Sequence, residues 1–232
     1  MRHGRRRPVP RDPTVRTLTV SPDGSELTGL AESVRGRRCV VGVAGTPGAG
    51  KSLLATALVR LLGPRGAQVP MDGFHLADAE LTRQGLLDMK GAPDTFDAWG
   101  YAALLERLRL RPSYTVYAPA FERDLEQPIA GAIAIEPEAE VIVSEGNYLL
   151  LDRPEWRVVR AQFDEVWYVV FTDERLRRER LLARHVAFGK SEQEAKAWVE
   201  RVDEPNARLV EATRSRADLL IDLTAWNSAP TG

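Results

Sequence analysis

The sequence predicts an α/β domain built on a doubly wound, mostly parallel sheet flanked by helices. Two observations carry that expectation. Short apolar, β-branched runs at residues 40–43, 141–143, 166–171 and 217–223 alternate with amphipathic stretches of helical period. The first of these runs also breaks into a glycine-rich loop and resumes as a helix, with Leu54, Ala57, Leu58 and Leu61 at helical spacing. An open parallel sheet binds its ligands at this kind of strand-to-helix junction.

The loop reads Gly45-Thr46-Pro47-Gly48-Ala49-Gly50-Lys51-Ser52, the pattern G-x-x-x-x-G-K-S in the strand–loop–helix setting that a P-loop requires. Its glycines let backbone N–H groups curl around a phosphate, and the helix N-terminus adds a favourable dipole. Lys51 is placed to reach the β- and γ-phosphates of ATP, and the Ser52 hydroxyl to hold Mg²⁺. The expected fold is therefore that of a P-loop NTPase.

The bulk numbers agree with one globular domain, with or without extensions: 232 residues, 44% hydrophobic and 28% charged. A net charge of −1 argues against nucleic acid as a partner. No apolar stretch approaches a membrane span, and the N-terminus lacks the apolar core of a signal peptide, so no membrane partner is expected. The single cysteine, Cys39, falls in a predicted core strand and reads as a small buried hydrophobe, which fits a cytoplasmic setting.

In chain order, residues 1–13 (MRHGRRRPVPRDP) read either as a basic arm for an anionic partner or as a solvated, disordered tail. Residues 14–20 alternate like a short strand, and 26–34 read as a helix. After the P-loop helix a turn at 63–66 leads into a second strand, 67–71, which runs into Asp72-Gly73. Asp72 is either a base for a substrate hydroxyl or a turn aspartate before glycine. A helix over 78–87 gives way to the loop Lys90-Gly91-Ala92-Pro93-Asp94-Thr95-Phe96-Asp97, where Asp97 suits substrate contact or the cap of a helix over 98–110.

Residues 114–124 and 131–135 have no strong period. The strand at 141–144 ends in Glu145, a carboxylate that is costly to bury without a cation or donors and that suits Mg²⁺. Residues 156–161 read as a helix. Over 173–187, Arg177, Arg180 and Arg184 share one face, either clamping phosphate or forming a solvated basic face paired with Glu174 and Glu179. Two helices, 191–203 and 206–216, are expected to be split by Pro205, with a last strand at 217–223 and a frayed end over 224–232.

Four blocks then point further: the P-loop, Pro70-Met71-Asp72-Gly73-Phe74-His75, residues 90–97, and Ser144-Glu145-Gly146-Asn147-Tyr148-Leu149-Leu150-Leu151. Together, over residues 38–223, the chain resembles the nucleoside/nucleotide kinase-like P-loop proteins often labelled fructose-transport-system kinases. These sit within the group of uridine kinase, phosphoribulokinase, pantothenate kinase and nicotinamide riboside kinase. The resemblance implies Asp72 as catalytic base, Asp97 as a holder of substrate hydroxyls, Glu145 near Mg²⁺, and Arg180 and Arg184 as lid arginines over the phosphates.

It also implies that Tyr117, Glu122 and Arg123 line the acceptor pocket, with His75 and Lys90 as neighbours and Asn206 in acceptor or adenine contact. Two blocks depart from the group's pattern: Phe121-Glu122-Arg123 stands in place of Phe-Asp-Arg, and Val202-Asp203-Glu204-Pro205-Asn206 in place of Asn-Asp-x-Pro-Asn. On this reading residues 1–16 are a disordered basic tail and 17–232 form one P-loop kinase domain. The expected activity is ATP- and Mg²⁺-dependent phosphorylation of a hydroxyl on a small metabolite (a nucleoside, sugar or vitamin alcohol), and a homodimer would be ordinary for the group. The alternative is a nucleotide-binding module with little or no phosphotransfer. A regulatory GTPase is disfavoured, since no guanine-reading Asn-Lys-x-Asp stretch is present.

Overall fold

The structure is a computed structural model that describes residues 15–227. Strand β1 (Thr17–Thr19) and helix α1 (Glu26–Val34) lead into β2 (Cys39–Gly45), and α2 (Lys51–Leu62) follows the glycine-rich loop. Next come β3 (Gly66–Pro70), α3 (Asp78–Gln84), α4 (Ala98–Arg109) and a hairpin of β4 (Val116–Glu122) and β5 (Gln127–Ile135). The chain continues through β6 (Val141–Glu145), α5 (Pro154–Arg160), β7 (Glu165–Val170), α6 (Glu174–Ala187) and α7 (Glu192–Trp198). It ends with α8 (Glu204–Glu211), β8 (Leu219–Asp222) and α9 (Thr224–Asn227).

Six strands pair in the order β1-β8-β7-β2-β6-β3, every pairing parallel. Strands β2 and β6 are buried along their whole length, which is why they read as continuous apolar runs rather than as alternation. The two-residue period still sorts side chains by face. Val40 and Ala44 pack with Tyr101 and Leu105 of α4 and Trp156 of α5. Val41 and Val43 pack with Leu27 and Leu30 of α1 and Leu54 and Leu58 of α2. Register then sets up the site: Val43 lies opposite Glu145, and Glu145 opposite Pro70. The strand that opens the P-loop, the strand that ends in a carboxylate and the strand that runs into Asp72 therefore finish level.

Three expectations change. Residues 114–124 and 131–135, which showed no strong period, form the antiparallel β4–β5 hairpin, whose register shifts between Ala118 and Ala120. Pro119 sits in that irregularity, where the missing N–H interrupts no regular ladder. The chain does not break at Pro205. Instead α7 passes through a π-helical turn, Val199–Asp203, into α8, with Trp198 and Asp203 both in the right-handed helical region. Pro205 stands just after the π turn, at the second position of α8, where its missing N–H falls at the change from the wider π ladder to the α ladder. At the end expected to fray, Thr224–Asn227 form a short helix.

The basic tail expected over 1–16 and the last five residues, 228–232, lie outside the described residues, except for positions 15 and 16. There the Arg16 carbonyl already accepts from the Leu220 N–H at the sheet edge. Among the described residues no helix is long and apolar enough to cross a membrane.

Candidate active site

The loop between β2 and α2 has the backbone shape its glycines predict, with Gly48 at φ +80° and Gly50 at φ +98°. A Cβ on Gly48 would also come within 3.0 Å of Leu181 and 3.2 Å of the Arg177 backbone, so α6 presses directly on the loop. Lys51 is 8% exposed and its Nζ donates to the Thr46 carbonyl at 3.0 Å. Burial pulls its pKa down to about 8, against the opposing pull of Glu145 and Asp72. Ser52 Oγ donates to Glu145 Oε1 at 3.1 Å. Burial and then the nearby Asp72 carboxylate raise the Glu145 pKa, with Lys51 and Ser52 acting the other way.

Above the level strand ends lies a cavity of about 330 Å³. Its P-loop end is lined by Pro47, Lys51, Ser52, Glu145 and Asp72. Its far end is lined by His75, Lys90, Phe121 and Arg123, and its roof by Arg184, His185, Asp203 and Asn206. Arg123 Nη2 stands 3.5 Å from Asp72 Oδ2. His75 is stacked between Phe96 and Phe121, with ring centroids 4.0 and 4.7 Å away. Lys90 is held by Asp78 at 2.5 Å and by the Glu126 carbonyl. Burial, and then the like charge of Arg123, lower the Arg184 pKa.

The structure thus brings together Lys51, Ser52, Asp72, His75, Lys90, Arg123, Glu145, Arg184 and Asn206 around one cavity. Of the expected catalytic and acceptor residues, four lie outside its wall. Asp97 is exposed and caps α4, its Oδ1 accepting from Gly100 N–H at 2.8 Å, so the capping account of this residue is the one the geometry supports. Tyr117 is 61% exposed on β4, because strand alternation turns it away from the molecule. Glu122 is exposed at the end of β4 and accepts from Asp124 N–H at 3.3 Å. Arg180 lies over the Phe171 ring, 4.9 Å from its centroid.

Arg177, expected on a phosphate-facing surface, is instead 1% exposed and bound to Glu174, Glu204 and the Pro47 carbonyl. Sequence reading passed over His185 and Asp203, whose side chains meet at 2.7 Å in the cavity roof. The signal available for them was position: His185 follows Arg184 on the same helix, and Asp203 lies within the 202–206 block.

The residues fit a nucleotide and its metal. Gly48 and Gly50 hold the left-handed backbone of an anion-binding loop, and Glu145 is a buried carboxylate that accepts from the Ser52 hydroxyl. Among the described residues no cluster of three or more His, Cys, Asp or Glu is placed to hold a metal alone. A cation such as Mg²⁺ takes one or two protein oxygens and completes its shell with phosphate and water, and Ser52 and Glu145 offer such oxygens.

No family model matches the chain. It is 32% identical to a candidate uridine kinase of Schizosaccharomyces pombe, over 80% of this chain and 83% of that protein. It is 34% identical to the Escherichia coli protein YggC, over 81% and 79% of the two chains. The crystal structure of a candidate fructose transport system kinase from Silicibacter sp. TM1040 superposes with a TM-score of 0.74 at 37% identity. That match covers 84% of this chain and 98% of the other. The chain belongs to this family of P-loop kinases. Membership gives the cavity its orientation, since a P-loop kinase seats its nucleotide phosphates on the loop amides and reserves the adjoining space for what receives the phosphoryl group. Away from its P-loop end the cavity is bounded by His75, Phe121 and Arg123.

Proposed function

We propose that this P-loop kinase transfers the γ-phosphoryl group of ATP to a hydroxyl of a small polar metabolite. The observation that carries the reading is the position of Asp72. Its carboxylate lines the same cavity as Lys51 and Glu145, with Arg123 Nη2 3.5 Å from its Oδ2. The acceptor oxygen attacks the γ-phosphorus, the bond to the β–γ bridging oxygen breaks, ADP leaves, and the hydroxyl proton passes to Asp72.

Lys51 and the amides of residues 45–50 hold the phosphates, and Arg184 faces the transfer site from the roof. Ser52 and Glu145 would hold Mg²⁺, which when bound neutralises charge on the phosphates. Arg123 sets the Asp72 carboxylate, while His75, Lys90 and Asn206 bound the space for the acceptor. With Asp97, Tyr117 and Glu122 outside the wall, contact between them and an acceptor would require movement from this arrangement.

The test is ADP release from MgATP against a panel of nucleosides, sugars and vitamin alcohols, with Asp72→Asn and Lys51→Ala as controls. Acceptor-stimulated release that falls at least ~10²-fold in Asp72→Asn while nucleotide binding persists supports the reading. Tight MgATP binding with no stimulation across the panel favours a nucleotide-binding module instead. Wild-type transfer by Asp72→Asn would remove Asp72 as the base.

A further inference from the structure

Apart from Asn206 beside the acceptor space, the block 202–206 has no part in the chemistry above, yet it is tied to two separate elements, α6 and the loop at Gly91. Asp203 meets His185 of α6 at 2.7 Å. Glu204, whose side chain is 12% exposed, takes Arg177 Nη2 at 2.6 Å and Arg178 Nη2 at 2.8 Å. Asn206, 8% exposed, donates through Nδ2 to the Gly91 carbonyl at 3.3 Å, and Tyr148 Oη donates to the same oxygen at 2.5 Å. Glu204 and Asn206 stand two positions apart in the first turn of α8. That single turn is therefore bonded on one side to Arg177 and on the other to the loop that carries Lys90.

Arg177 completes the connection, because its Nη1 donates to the Pro47 carbonyl at 3.0 Å. In a planar trans peptide the C=O of one residue and the N–H of the next point in opposite directions. Drawing the Pro47 carbonyl toward Arg177 thus aims the Gly48 N–H away from Arg177, toward the hollow of the loop where P-loop amides meet a phosphate. Burial alone would raise the Glu204 pKa, but the two guanidiniums hold it below its ordinary value, so the link is a charged one.

We propose that Arg177, Glu204 and Asn206 are positioning residues that couple a nucleotide on the P-loop to the acceptor side of the cavity. Arg177 and Glu204 set the Gly48 amide, and Asn206 carries the same helical turn to the Gly91 loop. The proposal rests on nucleotide binding at the P-loop and not on the transfer step, so an acceptor panel that fails leaves it standing.

The experiment uses MgADP as probe and needs no acceptor. Amide hydrogen exchange at residues 90–92 is followed with and without saturating MgADP in the wild-type protein, Glu204→Gln and Arg177→Lys. The coupling predicts slower exchange at 90–92 in the wild type on adding MgADP, and loss of more than half of that slowing in both variants at saturation. It also predicts MgADP binding about tenfold weaker in Arg177→Lys, where one ammonium replaces a fork that serves Glu174, Glu204 and the Pro47 carbonyl.

Glu204→Gln keeps size and an acceptor oxygen, so it decides the matter by itself if Arg177→Lys does not fold. Either of two results overturns the proposal: no MgADP-dependent change at 90–92 in the wild type, or a change of wild-type size in Glu204→Gln. The second would mean that the nucleotide touches the loop directly and the helical turn carries nothing.

Discussion

Histidine 75 shows how one buried ring ties the site to the solution. Its Nδ1 lies 2.8 Å from the Asp72 carbonyl and its ring between Phe96 and Phe121. Burial pulls its pKa below the ordinary 6.5; Lys90 acts in the same sense, while Asp72 and Glu126 oppose it. The unfolded chain therefore takes up the proton first as pH falls. His75 leaves stability intact above the unfolded value and draws it down as pH drops through about 6.5 toward the lower folded value, by at most ~1.4 kcal/mol per pH unit. Urea titrations between pH 7.5 and 5.5 should show a smaller loss of unfolding free energy for His75→Gln than for the wild type. Parallel losses would assign the acid sensitivity to other groups. At this scale Lys51, Ser52 and Glu145 were legible because a motif or a strand end fixes their surroundings. Asp97 was legible only as two alternatives, since a helix cap and a ligand contact ask for the same residue type.

Among the elements, the strands and helices that wrap the sheet follow from period and length, and the P-loop follows from its glycines. The β4–β5 hairpin and the π turn do not, and the physical reasons differ. The second strand of the hairpin runs through Ala130, Gly131 and Ala132, which carry no strong strand preference and fall in the register shift opposite Pro119. The π turn joins α7 to α8 with helical backbone angles at Trp198, Val199, Asp203 and Glu204, so Pro205 signals a break that the chain never makes.

The hairpin nonetheless sets the far wall of the cavity through Phe121 and Arg123, and its seat is Gly73. A Cβ on Gly73 would lie 2.3 Å from the Pro119 carbonyl oxygen, backbone against backbone, with no flexible end to give way. Gly73→Ala must therefore push the hairpin off the turn that carries Asp72. We expect a loss of ~1–3 kcal/mol in unfolding free energy. Weaker acceptor-dependent turnover should accompany it, with MgADP affinity nearly unchanged because the P-loop lies outside the displaced contact. Calorimetry of unfolding and of MgADP binding checks both parts, and full stability in Gly73→Ala would show that the hairpin shifts without cost.

The whole molecule is three layers, and its central strands belong to both cores. Tyr101, Leu105 and Trp156 fill one side of the sheet, Leu54, Leu58 and Trp167 the other, and successive residues of β2 feed each in turn. Neither helical layer can be removed without exposing residues of the strand that carries the P-loop, so the two sides should unfold as one unit. Leu58, 1% exposed on α2, gives a direct test. Leu58→Ala should cost ~2–5 kcal/mol, the range for truncating a fully buried leucine.

The loss should move the urea midpoint equally whether unfolding is read by far-ultraviolet circular dichroism, which sees every helix, or by fluorescence, to which Trp156 and Trp167 contribute from opposite sides. MgADP at about 100 times its Kd should then restore ~2.7 kcal/mol to both signals together, because the P-loop it occupies is built on the shared strand. A fluorescence midpoint that parts from the dichroism midpoint in Leu58→Ala would mean that the two layers melt separately. Nucleotide would then protect only the side on which α2 packs.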